Sequence, residues 1–232
     1  MKVTSTGLTD IGRVRKNNQD NYYCNDSLKL YLVADGLGGH AAGDVASQMA
    51  KDSVVQIFSA TKQSVDPASF LTLAIQEANR KIYDKATSSV ECRGMGTTFT
   101  LLHFFYDTAY MAHVGDSRVY LIQDNMIWQL SQDHTLVSQQ FSEKTQVVKN
   151  MLTRSVGFES EVEVDLYTKK TKSGETYLLC TDGLHGFIRS KEIAEIVSKN
   201  SIQEAAKKLI TLANERGGED NITIVIARVE RV

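Results

Sequence analysis

Three aspartates stand at the borders of apolar runs, each with glycine beside it or close by. They are Asp35 after the run 31–34, Asp182 after the run 176–181, and Asp220 shortly before the run 222–226. One aspartate in such a place is an ordinary turn residue. Three of them, far apart in the sequence, predict strand ends that converge on one cation site. Oxygen ligands of this kind suit Mg²⁺ or Mn²⁺.

The elements that must position these aspartates are indicated by periodicity and by turn and cap residues. Strands are predicted at 2–11, 21–24, 28–34, 97–105, 108–114, 117–122, 126–130, 163–168, 175–181 and 222–229. The four strands between 97 and 130 are expected to form one antiparallel meander. Two helices are predicted after the third strand, one with Asp44 as N-cap and one opened by Asp66 and Pro67. Two more precede the last strand, the second with Ser201 and Glu204 as a capping box. This order predicts an α+β domain with helices packed on antiparallel sheets.

Composition and charge argue against several classes of protein. The chain has 232 residues, 42% of them apolar, and a single Pro, so one domain over residues 1–232 is expected. Lys and Arg number 26 against 28 Asp and Glu, without a long basic run, which argues against a nucleic-acid partner. The N-terminus lacks an apolar signal region, and no apolar segment of about 18 residues occurs. These features favour a cytoplasmic protein without a membrane partner.

The three cysteines carry no sign of catalysis or pairing. They show no CxxC spacing, and none has Arg six residues later. The first absence fits a reduced compartment, and the second disfavours a phosphatase with a cysteine nucleophile.

Two polar segments are each open to two interpretations, and a third is typical of one. The segment 12–20 is either a plain loop or part of a site, and Asp116 within 113–118 is either a hairpin corner or a functional residue. The stretch 131–162 is polar and weakly periodic, which is typical of a functional loop inside a compact domain.

Seven short motifs carry a resemblance to a known family. They are RxxNQD at 15–20, ADGxGGH at 34–40, GMGTT at 94–98, VGDSR at 114–118, NxLTRxxG at 150–157, TDGL at 181–184 and DNIT at 220–223. Each motif is weak alone, but the ordered set covers nearly the whole chain and is specific. The sequence resembles the metal-dependent Ser/Thr protein phosphatases of type 2C, the PPM family, in their short bacterial form.

The resemblance implies a fold and a metal site. The fold would be a central sandwich of two antiparallel β-sheets flanked by helices, a four-layer α-β-β-α arrangement. Asp35 would bridge two Mn²⁺ or Mg²⁺ ions, the Gly36 carbonyl would bind one, and Asp182 and Asp220 would bind the other. Asp116 together with Asp182 resembles a weaker third metal site.

The resemblance also implies catalytic parts. Asp20 resembles a carboxylate that holds metal-bound water. Arg15 is expected to bind phosphate, because a guanidinium fork matches two phosphate oxygens; the alternative is a surface salt bridge. His40 would protonate the leaving alkoxide, directly or through water, unless it is a structural histidine. A flap-like insertion near 131–162 departs from the family pattern at 139–148, where we expect mobility and control of phosphoprotein choice.

The predicted function is therefore a Mn/Mg-dependent protein serine/threonine phosphatase. It would hydrolyse phosphoSer and phosphoThr monoesters by in-line attack of a metal-bridging hydroxide. The alternatives are a metal-dependent hydrolase of small phosphate esters and a catalytically dead relative that binds partners. The intact carboxylates argue against the dead relative. Phosphorylated proteins are the expected substrates, the resemblance implies an opposing Ser/Thr kinase, and a monomer is expected.

Overall fold

The computed structural model describes residues 1–38, 42–60, 66–142 and 145–232, with the side chains of all of these except 137–142 and 145–150. The strands are β1 Lys2–Asp10, β2 Asp20–Asn25, β3 Leu30–Leu37, β4 Gly96–Thr97, β5 Phe99–Phe105, β6 Thr108–Val114, β7 Arg118–Gln123, β8 Met126–Gln129, β9 Thr135–Ser142, β10 Thr145–Leu152, β11 Asp165–Lys170, β12 Thr176–Cys180 and β13 Ile222–Arg231. The helices are α1 Ala42–Ala60, α2 Pro67–Ser88, α3 Asp182–His185, α4 Ser190–Lys199 and α5 Ile202–Glu215. Within the described ranges no helix is long and apolar enough to cross a membrane.

The strands form two large antiparallel sheets and one small one. One large sheet has the strand order β1-β13-β12-β7-β8, and the other has the order β11-β6-β5-β3-β2, with β4 paired to the end of β3. Strands β9 and β10 pair only with each other.

Alternate residues of the central strands enter different apolar cores, because both faces of each large sheet are covered. In β3, Leu30 and Leu32 pack with α1 and α2, whereas Tyr31 and Val33 pack against the opposite sheet. A third core joins the outer face of β7, β12 and β13 to α4 and α5. The three cores define four layers, helix, sheet, sheet and helix, which confirms the predicted α+β sandwich.

The predicted caps of two helices are confirmed, and that of a third is wrong. Asp66 accepts a hydrogen bond from the Ser69 amide with Pro67 in the first turn of α2, and Ser201 with Glu204 forms the capping box of α5. Asp44, in contrast, lies inside the first turn of α1, because that helix begins two residues earlier.

The predicted meander over 97–130 is also wrong, because it crosses between the sheets. Strands β5 and β6 pair with each other in one sheet, and β7 and β8 pair in the other. The crossing occurs at Gly115, whose φ of +111° suits glycine and whose Cα packs so closely on Thr98 that a Cβ would lie 2.6 Å from the threonine Cβ. Asp116 is therefore not at a hairpin corner but on a connection between the layers.

The flap-like segment is more regular than its sequence indicates. Strands β9, Thr135–Ser142, and β10, Thr145–Leu152, form an antiparallel pair, with Thr135 opposite Leu152 and Ser142 opposite Thr145. Hydrogen bonds between the two strands satisfy their backbone polar groups. The strands therefore form although their sequences lack the apolar pattern of a core strand. The side chains of 139–148 lie outside the described residues, so the expected mobility there stays a prediction.

Candidate active site

Two of the aspartates face each other across one sheet. Asp20 begins β2 and is paired directly with Asp35 near the end of β3. Like charges opposite each other on an antiparallel pair are unfavourable, so this pairing needs a compensating partner. The Thr181 hydroxyl donates to Asp20 Oδ2 at 2.9 Å, which ties Asp20 to the end of β12 in the other sheet.

Asp182 and Asp220 approach from that other sheet. Asp182 opens the short helix α3 directly after β12, and Asp220 lies just before β13. The two segments come close because Gly183 has no side chain: a Cβ there would lie 2.0 Å from the Asn221 carbonyl oxygen. Since β12 and β13 pair in register, the two carboxylates are brought to the same edge of the sandwich.

Asp116 reaches this edge on the connection between β6 and β7. His185 holds the connection, because its Nε2 lies 3.0 Å from the Asp116 carbonyl oxygen. Thr98 contacts it from the other side through a 2.8 Å hydrogen bond with the Ser117 hydroxyl. Thr98 also binds the backbone of Asp35 at both its N–H and its C=O, so one residue aligns both aspartates.

The carboxylates line one small cavity of about 170 Å³. The predicted site residues in its wall are Arg15, Asp35, Gly36, Asp116, Asp182 and Asp220. Residues from both sheets contribute, so the cavity exists only when the sandwich is assembled. Asp20 lies behind the wall and is buried.

The electrostatics of the cluster favour neutral carboxyl groups when no cation is present. Burial raises the pKa of Asp20 to about 7 and that of Asp116 to about 6, with smaller contributions from the neighbouring carboxylates. Burial and the same neighbours raise the pKa of Asp35 well above its ordinary value, and they raise the pKa of Asp182 as well. Like charges in a shared low-dielectric site cannot all ionise without a counter-charge.

These residues fit a divalent cation by their donor set and by their unmet polar groups. Asp20 Oδ1 and Asp182 Oδ1 are buried without a hydrogen-bond partner. An oxygen-only donor set with excess negative charge suits Mg²⁺ or Mn²⁺. Among the described residues no three His, Cys, Asp or Glu side chains already stand in a closed metal cage. Ions with few protein ligands and several waters need no such cage.

Arg15 is the cationic side chain in the wall of the cavity. It donates from Nη2 to Asp220 Oδ2 at 2.5 Å, while its side chain is 52% exposed. Asn221 supports this segment: it accepts from the Gln19 amide and donates to the carbonyls of Ile11 and Asn17. The structure thus contains a salt bridge of Arg15, the alternative to phosphate binding. This salt bridge lies in the wall of the cavity rather than on a remote surface.

One predicted site residue lies outside the described part of the chain, and the sequence did not indicate several residues that position the site. His40 falls in the stretch 39–41, which is not described. The missed residues are the positioning groups Thr98, Thr181, His185 and Asn221. Each lies within or beside one of the seven motifs, but a hydrogen-bond partner 40 or more residues away leaves no local signal. His113, at the start of the segment 113–118, bonds to Thr100 and to the Gln132 carbonyl, away from the cavity wall.

Comparisons with known proteins agree over almost the whole chain. A family model described as Protein phosphatase 2C matches residues 12–222. The serine/threonine phosphatase stp of Listeria monocytogenes is 39% identical, covering 96% of this chain and 94% of the relative. The protein phosphatase PhpP of Streptococcus pneumoniae is 35% identical, covering 94% of each.

Solved structures give the same result. The Mycobacterium tuberculosis serine/threonine phosphatase PstP/Ppp superposes with a TM-score of 0.88 at 30% identity, covering 100% of both chains. The catalytic domain of PstP in complex with two manganese ions superposes with a TM-score of 0.85 at 31% identity, covering 98% of each chain.

Proposed function

Because this chain belongs to the protein phosphatase 2C family and is a protein serine/threonine phosphatase, we propose that it uses Mn²⁺ or Mg²⁺ to hydrolyse phosphoserine and phosphothreonine by direct attack of water. The observation that carries the proposal is the cavity shared by Arg15 and four aspartates, Asp35, Asp116, Asp182 and Asp220. The PstP structure with two manganese ions supports the choice of metal.

The chain would hold its metals through oxygen atoms. Asp35 would serve two ions, the Gly36 carbonyl one of them, and Asp182 with Asp220 the other; Asp116 with Asp182 would hold a weaker third. When bound, such ions lower the pKa of water and offset the negative charge of the phosphoryl oxygens.

The residues of the cavity perform the remaining tasks. Arg15 binds two phosphoryl oxygens with its guanidinium fork, exchanging its contact with Asp220 for the substrate. Asp20, buried behind the wall and hydrogen-bonded to Thr181, would hold a metal-bound water. The wall contains no Cys, Ser, Thr or His among the described residues, which favours water over a phosphoenzyme with such a nucleophile. His40 is the proposed proton donor to the leaving alkoxide.

Hydrolysis of a phosphothreonine peptide, with and without chelator, tests the proposal. Dialysed protein should release phosphate only after Mn²⁺ or Mg²⁺ is added, and EDTA should stop the release. In H₂¹⁸O a single turnover should place one labelled oxygen in the phosphate. Full activity in excess EDTA would contradict the metal requirement. A trapped phosphoenzyme would contradict direct attack by water. The predicted opposing kinase and the monomeric state remain separate predictions.

A further inference from the structure

A second cavity adjoins the catalytic cavity and differs from it in its lining. Its volume is about 460 Å³, and it shares Leu37 and Leu152 with the catalytic cavity. A third cavity, of about 250 Å³, shares Gly94 and Phe158 with the second. The three together make a path that leads away from the aspartates along one side of the molecule.

The shape of this path fits a polypeptide. The substrates of this enzyme are phosphorylated proteins, so the residues next to the phosphorylated one must lie on the surface that adjoins the catalytic cavity. A groove that continues through two further cavities offers more room than a small phosphate ester would occupy. This step rests on the proposed function.

The charged side chains in the wall of the second cavity indicate which kind of polypeptide it would bind. Its wall holds Glu159, Glu161 and Glu163 against one cation, Arg154. The charge of Arg154 is already offset, because its Nη1 donates to Asp165 Oδ1 at 2.7 Å. All three glutamates are exposed, and within the described residues neither Glu159 nor Glu161 has an ion-pair partner. Glu163 lies 3.7 Å from the same guanidinium, so Glu159 and Glu161 carry the uncompensated negative charge of this cavity.

Phe158 adds an apolar surface beside these carboxylates. Its side chain is 64% exposed and lies in the walls of both outer cavities. A carboxylate next to an exposed aromatic ring suits Lys or Arg, whose apolar stem packs on the ring while the cationic head meets the carboxylate. The second cavity joins the catalytic cavity at Leu37 and Leu152, so this combination of ring and carboxylates lies on a surface that borders the catalytic cavity.

We propose that the groove formed by Leu152, Phe158, Glu159, Glu161 and Glu163 binds a basic segment of the phosphoprotein, so that the enzyme prefers phosphoserine and phosphothreonine flanked by Lys or Arg. The groove raises kcat/KM for such substrates by lowering KM. The preference weakens with added salt, because the contacts are exposed charge pairs.

The test uses matched phosphothreonine peptides that carry two Lys, two Glu or two Ala within three residues on either side of the phosphothreonine. Wild-type enzyme should favour the Lys peptide over the Glu peptide by about two- to five-fold per charge. Glu159→Gln with Glu161→Gln should reduce this ratio towards one, and Glu161→Lys should move it in favour of the Glu peptide. Glu230→Gln is the matched control, because Glu230 is an exposed glutamate on β13 that lines none of the three cavities.

Each result has a defined meaning. Equal kcat/KM for the three peptides on wild type, or a preference for the Glu peptide, overturns the inference. So does an unchanged ratio in the Glu159 and Glu161 variants, or an equal loss in the Glu230 control. Mn²⁺-dependent hydrolysis of p-nitrophenyl phosphate by wild type is measured in parallel. Its absence would instead count against the proposed function, so the two failures are distinguishable.

Discussion

The Asp35 carboxylate lies in surroundings that favour its neutral form when no cation is bound. It faces Asp20 across two strands, and it shares its cavity with three further aspartates. The cluster therefore destabilises the metal-free protein, a common relation between active sites and stability.

Asp35→Asn should separate these two effects. We expect turnover to fall by at least ~10³-fold, since one carboxylate that serves two cations is a major electrostatic stabiliser. In EDTA the same variant should melt at a higher temperature than wild type, because a neutral amide avoids the cost of burying or protonating a carboxyl group among other carboxylates. Phosphopeptide turnover and thermal melts measure the two quantities. More than a tenth of wild-type activity at saturating Mn²⁺ would contradict the bridging role.

Arg15 offers a second residue-scale test, in which charge and geometry are separated. Arg15→Ala should lower kcat/KM by about 10²-fold, and Arg15→Lys should recover only part, because Lys restores the charge without the fork. The free energy of unfolding should change by less than about 1 kcal/mol, since the Arg15–Asp220 pair is half exposed. Equal activity of wild type and both variants would return Arg15 to the role of a surface salt bridge.

At the scale of elements, the site depends on short segments held to one another. The helix α3 carries Asp182 at its start and His185 at its end. His185 hydrogen-bonds to the Asp116 carbonyl on the connection between β6 and β7. Burial, followed by the charge of Arg118, lowers the pKa of His185 to about 4, so the ring is neutral. A carbonyl can only accept, so His185 donates from Nε2.

His185→Gln and His185→Leu should therefore differ. Gln keeps a donor for the Asp116 carbonyl, whereas Leu does not. We expect Leu to raise the Mn²⁺ concentration for half-maximal activity by about ten-fold, in the range found for groups that orient metal ligands, and Gln to stay near wild type. Calorimetric Mn²⁺ titration provides a readout that is independent of turnover. If both variants bind Mn²⁺ as tightly as wild type, the bond has only a structural role.

His103 on β5 makes a pH prediction far from the metal site. It is 2% exposed, contacts the Phe58 ring of α1, and bonds through Nδ1 to the Lys29 carbonyl. Burial lowers the pKa of His103 to about 4. In the unfolded chain the value is about 6.5, so between these values only the unfolded state binds the proton. Stability from this residue is complete above about pH 6.5 and is lost as the pH falls towards 4.

His103→Asn isolates this contribution, because Asn keeps a donor near Nδ1 but does not titrate. The variant should be less stable than wild type at pH 7 through lost packing. That difference should shrink by about 2–3 kcal/mol at pH 4.5. Denaturant unfolding at the two pH values measures it, and a difference that stays constant with pH would contradict the assignment.

At the scale of the whole molecule, the site joins the two sheets of the sandwich. Asp35 comes from one sheet, whereas Asp182 and Asp220 come from the other. A cation bound between them is therefore a ligand of the folded state only, and it stabilises by mass action.

Mn²⁺ should accordingly raise the melting temperature. At a free concentration 100-fold above Kd the gain is about 2.7 kcal/mol. For a chain of this size that corresponds to about 5–10 °C. Differential scanning calorimetry with EDTA and with graded Mn²⁺ measures the shift, and Asp35→Asn serves as the control that should lose most of it. An unchanged melting temperature for wild type would contradict a site between the sheets.

Local sequence signals determined most elements and the identity of the chemistry. Apolar runs marked β3, β12 and β13, and cap residues marked the starts of α2 and α5, because these features depend on neighbours within a few residues. The Asp-Gly pairs indicated carboxylates at strand borders in the same way. The ordered motifs then indicated the family, since residues that perform chemistry are constrained in type and spacing.

The tertiary structure decided what depends on partners distant in the chain. Only the assembled sandwich showed that the chain crosses between the sheets at Gly115, that β9 and β10 pair with each other, and that Arg15 bonds to Asp220. The roles of His185 and Asn221, and the glutamate-lined groove beside Phe158, likewise arise from contacts between segments far apart in sequence. No periodicity or spacing encodes such contacts, because they are set by how the layers pack.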